Sequence, residues 1–367
     1  MNTNLSQFHI VEISGSNYER GFIHGKSLKP IIQKIIGAWA ENIKSQTGLP
    51  LDLYANRIKH ETLLFKAIQT HTPDLLEEVH GIADGAELPR IIVEAWQYLD
   101  EHEWFIKDFI LCKKNSAGNA CSTFGFKNQN NIILGQNLDI PSYKDGIQTI
   151  LKIKDSTGLS SIIFTQAGAL ASFGVNHSPV GICVNSLAQL AYRIDGLPVT
   201  YMIRRILQNN NLDAAITTLK NLPHATGHNY LLGDSKRFDN FECSANSKIS
   251  TQQGNSNFAY HTNHTLVNNE QRSTLTKEEQ LAQEQRIKDF SLPRYKCLEN
   301  SLITFKDMSV SQAKQLLATT PVSISLKRNL KQFTFISAIF EFGSSFQVWA
   351  APGAPEEYDY IPISWPG

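Results

Sequence analysis

Cys121 lies at the expected start of a strand, a position from which its thiol could act as a nucleophile. The segment NACSTFGF (residues 119–126) sets Cys121 after the small Ala120 and before two hydroxyl residues. If the bond between Ala120 and Cys121 were cut, Cys121 would carry both a thiol and a free α-amine. An α-amine titrates near pH ~8, so it can act as the base for its own thiol at neutral pH. A buried, unreactive cysteine is the alternative, because free cysteines are among the most buried residues.

Two further polar residues are of types that would support such a nucleophile. Asp139 stands near the end of the run ILGQNLDI. If the runs on either side of KNQNN form a hairpin, Asp139 lies beside Cys121, where its carboxylate can hold the α-amine. Asn263, in YHTNHTL, offers an amide donor to a developing oxyanion. The alternatives are an exposed aspartate at a strand end and polar residues that only shape a pocket.

The two histidines of the same segment do not predict a metal site. His261 and His264 are three residues apart, and no carboxylate motif accompanies them. Catalytic zinc needs three placed protein ligands. We therefore expect no metal and no cofactor, and we assign His261 to the substrate pocket.

The composition predicts a globular protein without a strong charge. The 367 residues include 34 basic and 34 acidic side chains, and 41% are hydrophobic. A net charge of zero argues against binding to nucleic acid or to an acidic membrane surface. Five scattered cysteines without a C-x-x-C pair indicate a reducing compartment, and no apolar run has the length of a membrane span or a signal peptide. We expect a cytoplasmic protein that acts on small molecules.

The hydrophobic pattern changes its period at about residue 120. Before that point apolar residues recur at helical spacing, and one helix is predicted to begin with Thr72 as its N-cap and Pro73 in its first turn. After it, short alternating runs separated by Gly, Asn, Ser and Pro predict strands. One helix is expected to interrupt these strands at 198–222, and two more at 275–318. Helices followed by a strand-rich half indicate a layered α+β fold.

Six motifs follow one another along nearly the whole chain. They are YERGFIHG, PDLLEEVHGIADGAEL, CSTFGF, GQNLD, FTQAGALASFGVNHSPVGICVNSL and HTNH. Together they resemble the motifs of the acyl-CoA:6-aminopenicillanic acid acyltransferase family, within the N-terminal nucleophile hydrolase superfamily. Any one of these motifs is weak, but six in the same order are specific. The resemblance implies a four-layer αββα fold, in which helices cover two facing antiparallel sheets.

The resemblance also implies self-processing. Cleavage before Cys121 would give a helical α-subunit, residues 1–120, and a catalytic β-subunit, residues 121–367, which stay together. Cys121 would then be the nucleophile, Asp139 would hold its amine, and Asn263 would help to form the oxyanion hole. We further expect the substrate to contact five other positions. They are Ser122, Thr123, Asn137, His261 and Arg328.

Three positions depart from the family pattern. Ala120 replaces the usual glycine, and its methyl group restricts the backbone that the thiol must approach. Leu138 replaces the tryptophan of G-Q-N-W-D. The arginine of the family's S-I-C-R falls on Leu326, and if this segment is a strand, only one of Lys327 and Arg328 can face the site.

The sequence thus predicts a cysteine amidohydrolase that acts on an N-acyl amine or an amino-acid conjugate through a thioester acyl-enzyme. Hydrolysis is favoured over transfer, because water needs no dedicated acceptor site. One alternative is an acyltransferase that moves an acyl group from acyl-CoA or an N-acyl donor to an amine. Another is an unprocessed binding protein that uses the same pocket. Ala120 and the missing arginine favour binding, whereas Cys121, Asp139 and Asn263 favour the enzyme.

Overall fold

The change of period at residue 120 separates a mostly helical segment from a strand-rich one in the structure. The computed structural model describes residues 7–110, 120–251, 256–344 and 346–367. The helices are α1 (Asn17–Ser27), α2 (Lys29–Thr47), α3 (Leu51–Glu61), α4 (Leu64–His71), α5 (Pro73–Ala86), α6 (Arg90–Trp96), α7 (Glu101–Phe109), α8 (Val199–Ile206), α9 (Leu212–Asn221), α10 (Lys277–Arg286), α11 (Leu292–Leu302) and α12 (Val310–Ala318). A 3-10 turn (Ser142–Lys144) follows the third strand, and a π-turn (Ile287–Ser291) joins α10 to α11.

The strands form two sheets. They are β1 (His9–Ser14), β2 (Ala120–Lys127), β3 (Ile132–Pro141), β4 (Gln148–Lys154), β5 (Ser160–Gln166), β6 (Phe173–Asn176), β7 (Gly181–Ser186), β8 (His228–Gly233), β9 (Phe238–Cys243), β10 (Lys248–Ser250), β11 (Phe258–His261), β12 (Gln332–Phe342), β13 (Gln347–Ala351) and β14 (Ile361–Pro362). The eight-stranded sheet has the order β1-β4-β5-β6-β7-β8-β9-β10, and the six-stranded sheet has the order β11-β2-β3-β12-β13-β14.

The segment before residue 120 contributes a strand as well as helices. β1 pairs in parallel with β4, at the edge of the eight-stranded sheet. The other pairs of neighbouring strands are antiparallel. The expectation that residues 1–120 are helical therefore missed β1.

The two sheets face each other across an aromatic core. Phe164 of β5 stacks on Phe173 of the same sheet and on Phe340 of β12, with ring centroids 5.0 and 6.0 Å apart. Since side chains alternate along a strand, Phe164 and Gln166 point to the same side of β5. Gln166 therefore lies between the two sheets.

Helices cover the outer face of each sheet and complete four layers. On the eight-stranded sheet, Trp96 of α6 donates its indole N–H to the carbonyl of Ala167 at 3.1 Å. On the six-stranded sheet, Leu298 of α11 and Leu316 of α12 belong to the same buried cluster as Ile339 of β12. This αββα arrangement confirms the predicted fold class.

Glycines of two sequence motifs allow α1 and α5 to cross in close contact. A Cβ atom at Gly21 would lie 1.8 Å from the carbonyl oxygen of Glu78, so only glycine fits there. His24, from the same motif as Gly21, accepts a hydrogen bond through Nε2 from the backbone N–H of Gly168 at 3.1 Å. The motif YERGFIHG therefore positions the helical layer on the eight-stranded sheet.

Several helix boundaries differ in detail from the prediction. α5 begins at Pro73 as predicted, but the hydroxyl of Thr72 donates to the carbonyl of Ile68 instead of capping α5. The helix predicted at 198–222 is two helices, and the segment 275–318 holds three. Among the helices of the described ranges, none combines the length and the apolar composition needed to cross a bilayer.

Candidate active site

Cys121 is the second residue of β2, which pairs with β3 in the hairpin that the sequence predicts. The register sets Ala120 opposite Asp139 and Cys121 opposite Leu138. Cys121 is 3% exposed. Burial, together with the charges of Asp139 and Asp100, raises the pKa of its thiol well above the usual range. In the uncut chain the thiol is therefore neutral at neutral pH.

The side chain of Asn263 is bonded to the backbone of Cys121. Its Oδ1 accepts a hydrogen bond from the Cys121 backbone N–H at 2.8 Å. Its Nδ2 donates to the carbonyl of Ser186 at 3.0 Å, which uses one of the two amide hydrogens. The oxygen of Asn263 thus faces the backbone nitrogen of the Ala120–Cys121 bond, and one Nδ2 hydrogen is left for another acceptor.

The segment HTNH holds Asn263 in place through buried polar contacts. Nε2 of His261 bonds to Oε1 of Glu242 at 2.9 Å. Oγ of Ser291 accepts from the backbone N–H of Asn263 at 2.8 Å and bonds to Nδ1 of His264 at 2.8 Å. Both histidines thus anchor the segment. In the part of the chain that the structure describes, no group of three or more His, Cys, Asp or Glu side chains could hold a metal ion.

A buried arginine that the sequence analysis did not identify joins these groups. The guanidinium of Arg294, in α11, donates to the carbonyl oxygen of Cys121, to Oγ of Ser122 at 3.0 Å and to Oδ1 of Asn263 at 2.8 Å. Its Nη1 also lies 4.0 Å from Oδ2 of Asp139. The arginine side chain is 2% exposed. Its positive charge therefore acts on Cys121 and Asp139 with little screening by water.

Asp139 is buried, with one of its two oxygens hydrogen-bonded. Oδ1 accepts from the hydroxyl of Thr334 at 2.7 Å, whereas Oδ2 has no hydrogen-bond partner among the described residues. Burial raises the pKa of the Asp139 carboxyl to about 6, although Arg294 and Thr334 both act to lower it. Buried polar atoms are normally hydrogen-bonded, so Oδ2 is an acceptor without its donor.

Two cavities with one lining residue in common lie next to the bond between Ala120 and Cys121. The inner cavity, about 410 Å³ including its mouth, is lined by Cys121 and by residues of both sheets and α8. The outer cleft, about 1080 Å³ including its open side, is lined by Ala120, Asn263 and Arg294 among others. Ser186 lines both spaces. The bond between Ala120 and Cys121 therefore lies at the junction of the two cavities.

Three of the predicted substrate contacts lie near Cys121 but line neither cavity. They are Ser122, Thr123 and Asn137. The hydroxyl of Thr123 donates to Oδ1 of Asn185 at 2.7 Å. Nδ2 of Asn137 donates to the carbonyl of Leu317, in α12, at 2.9 Å and to the carbonyl of Val322, beyond that helix, at 3.0 Å. In the structure these side chains connect β2 and β3 to their neighbours, and His261 likewise lies outside the cavity walls.

The basic pair near the C-terminus lies in turns between α12 and β12. The expectation of a strand in this segment is therefore wrong. Arg328 pairs with Glu356, and Lys327 pairs with Glu357 at 3.3 Å. Neither basic side chain lines the inner cavity or the outer cleft.

Two facing sheets between helical layers, with a cysteine at the start of an inner strand, define an N-terminal nucleophile hydrolase architecture. The profile of the acyl-coenzyme A:6-aminopenicillanic acid acyl-transferase family matches residues 126–339. That match covers more than half of the chain, so the protein belongs to this family. It includes Asp139 and Asn263 and begins after Cys121. Family membership supports an amidohydrolase or acyltransferase of the N-terminal nucleophile class.

The solved structures to which the chain is similar have little sequence in common with it. Penicillin V acylase from Agrobacterium tumefaciens is 12% identical, with 63% of this chain and 83% of that chain covered and a TM-score of 0.40. A variant of conjugated bile acid hydrolase from Clostridium perfringens is 9% identical, with 66% and 92% covered and a TM-score of 0.39. No curated protein sequence matches the chain.

Proposed function

We propose that the protein is a self-processing N-terminal cysteine amidohydrolase, which cleaves the amide bond of an N-acyl amine or an amino-acid conjugate through a thioester. The observation that carries this proposal is the environment of the Cys121 nitrogen. Asn263 accepts its hydrogen, and Oδ2 of the buried Asp139 has no donor. Any buried backbone N–H needs an acceptor, so the distinguishing feature is the unpaired Oδ2 of Asp139, to which an α-amine at Cys121 would donate.

Cleavage before Cys121 would leave two fragments that share one core. Residues 1–120 would form the α-subunit and residues 121–367 the β-subunit. The first fragment contributes β1, which pairs with β4 of the second. It also contributes Trp96, which is buried and bonded to Ala167. Shared sheet pairing and shared apolar burial keep such fragments associated after the backbone is cut.

In the self-processing step, Sγ of Cys121 attacks the carbonyl carbon of Ala120. A C–S bond forms, the C–N bond to Cys121 breaks, and the thiol proton passes to the departing nitrogen, which becomes the α-amine. Water then hydrolyses the thioester, which leaves a carboxylic acid on Ala120 and restores the thiol. Asn263 and Arg294 hold the backbone of Cys121 at its N–H and its carbonyl, so the reacting bond is held in one orientation.

In the processed protein the α-amine acts as the base. Asp139 and Asn263 accept hydrogen bonds from it, and the amine takes the thiol proton as Sγ attacks the acyl carbonyl of the substrate. The remaining Nδ2 hydrogen of Asn263 donates to the oxyanion. The charge of Arg294 acts to lower the pKa of the thiol. The leaving amine takes a proton from the α-ammonium, and water then releases the acid.

We assign the two halves of the substrate to the two cavities. The nitrogen of Cys121 faces Asn263, and Asn263 lines the outer cleft. A leaving amine that takes its proton from this nitrogen therefore lies in the outer cleft. The acyl group on Sγ extends into the inner cavity, which Cys121 lines.

Trapping the acyl-enzyme tests this function. The purified protein is mixed with N-acyl amines or acyl-CoA, quenched in acid, and the mass of the large fragment is recorded. We expect an adduct of one acyl group, kept in Cys183→Ala (another buried cysteine) and lost in Cys121→Ala. Absence of an adduct with every amide donor would contradict the proposal.

A competing amine separates hydrolysis from transfer. When a second amine is added, a hydrolase releases mainly the free acid, whereas an acyltransferase forms the new amide. The free acid is the product that we expect.

A further inference from the structure

The wall of the inner cavity combines apolar and polar side chains. Leu138, Val199 and Ile203 give it an apolar surface. Gln166, at the end of β5, and Ser172, in the following loop, add polar side chains to the same wall as Cys121. An acyl group on the cysteine thiol would therefore meet both polar residues.

These two polar side chains have acceptor atoms without partners. Gln166 is 1% exposed. Its Oε1 and Oγ of Ser172 have no hydrogen-bond partner among the described residues. Unpaired polar atoms in buried positions are costly. Two of them in the wall of one cavity are open to hydrogen bonds from a bound ligand.

A second glutamine in the same wall makes the contrast clear. Gln136 also lines the inner cavity. Its Nε2 donates to the carbonyl of Val184, and its Oε1 accepts from the N–H of the same residue, both at 2.9 Å. Gln136 thus links the two sheets through both ends of its amide. The Oε1 atom of Gln166 makes no contact of this kind.

The charge in this wall is already paired. Oδ2 of Asp100 lies 2.7 Å from Nε2 of His228. Nδ1 of the same ring lies 3.0 Å from the carbonyl oxygen of Thr226. A carbonyl oxygen and a carboxylate oxygen can only accept hydrogen bonds, so both ring nitrogens of His228 carry a hydrogen. The positive charge of this imidazolium balances the negative charge of Asp100. The cavity therefore selects a neutral group rather than a cation.

We propose that the acyl group received by Cys121 carries a hydroxyl, which Gln166 and Ser172 bind in the inner cavity. This inference rests on the proposed function and names the class of its acyl donor. Oε1 of Gln166 only accepts, whereas the hydroxyl of Ser172 can donate. A substrate hydroxyl matches both, because it donates to one and accepts from the other. The cavity is small even with its mouth included, about 410 Å³, so short acyl chains are the ones to test.

A paired set of substrates tests the inference. Butanoyl, pentanoyl and hexanoyl amides of one amine are compared with the same amides carrying a single hydroxyl at each chain position. We expect the best hydroxylated amide to exceed its plain counterpart about tenfold or more in kcat/KM. Gln166→Leu should reduce this ratio to within about twofold. Gln129→Leu, in the exposed β2–β3 turn, should leave it unchanged.

The outcomes separate this inference from the function on which it rests. If the processed protein hydrolyses plain and hydroxylated amides equally, or prefers the plain ones, the proposal of a hydroxylated acyl group is wrong. The proposal that the protein is an amidohydrolase then still stands. Equal losses on both substrates in Gln166→Leu also overturn it. If that variant does not fold, Ser172→Ala gives the same comparison. A protein that is never cut before Cys121 overturns the function itself.

Discussion

The backbone N–H of Cys121 donates a hydrogen bond to Oδ1 of Asn263 at 2.8 Å. The contact arises because β11 pairs with β2 so that His261 stands opposite Thr123. The chain beyond His261 then brings Asn263 level with the start of β2. Because the donor is a backbone atom, replacing the cysteine side chain keeps this contact. Cys121→Ala therefore reports on chemistry and not on the position of the strand.

Removal of the Asn263 amide should abolish most activity while the fold remains. Asn263→Ala takes away an acceptor for the α-amine and a donor to the oxyanion. One oxyanion donor is typically worth ~10²–10³ in rate, so we expect kcat to fall by about that factor. Steady-state kinetics with circular dichroism measure it. The control is Asn130→Ala, in the exposed β2–β3 turn, and unchanged turnover in Asn263→Ala would remove Asn263 from the mechanism.

Arg294 should be intolerant of a conservative replacement. Lysine keeps the charge but loses the planar fork that reaches Cys121, Ser122 and Asn263. We expect Arg294→Lys to lower kcat/KM by about 10²-fold. Because Arg294 acts to lower the pKa of Asp139, Arg294→Met should also move the acid limb of the pH profile to higher pH. Arg193→Lys, at a partly exposed arginine that pairs with Asp195, is the control. If the acid limb of Arg294→Met lies at the same pH as in the natural protein, the charge of Arg294 does not influence Asp139.

Asp139 should make the uncut protein less stable as the pH rises through about 6. Its pKa is about 6 in the folded chain against 3.8 for the free side chain, so the folded state binds the proton more tightly. The stabilisation is fully present below pH 3.8 and is lost as the pH rises through about 6. Its size is about 3 kcal/mol at ~1.36 kcal/mol per pKa unit.

Urea unfolding at several pH values measures this effect. Cys121→Ala provides the uncut background, and Cys121→Ala with Asp139→Asn is the control. The difference in unfolding free energy between the two should change by about 3 kcal/mol between pH 3.5 and 7 in favour of the asparagine protein. Parallel curves for the two proteins would mean that Asp139 keeps an ordinary pKa.

The residue before the nucleophile should control the rate of self-processing. Glycine at position 120 frees the backbone that the thiol must reach, whereas a β-branched residue stiffens it. We expect Ala120→Gly to cleave several-fold faster than the natural protein and Ala120→Val several-fold slower. A time course of the 41.1 kDa band after cell-free synthesis measures both. Equal rates in all three proteins would show that this methyl group does not limit cleavage.

The sequence predicted best those parts of the site that come from two strands adjacent in the chain. The hairpin of β2 and β3 follows from two alternating runs around a polar turn, and it brings Asp139 beside Ala120. Arg294 lies in a segment that was correctly predicted as helical. Its contact with Cys121 depends on how α11 docks on the sheet, which spacing along one chain does not reveal.

The search for a basic residue failed for a related reason. The family pattern directed attention to Lys327 and Arg328, on the assumption of a strand. The structure has turns there, and these side chains pair with Glu357 and Glu356. A buried cation can reach one site from different elements, and only the tertiary structure distinguishes them.

The intact mass of the purified protein tests most directly whether Cys121 is an N-terminal nucleophile. We predict that the 41.1 kDa species is replaced by two fragments of about one third and two thirds of that mass. The larger fragment should begin at Cys121, and Cys121→Ala should remain a single chain. A natural protein that stays uncut under all conditions, or is cut elsewhere, would leave Cys121 without its base and contradict the account.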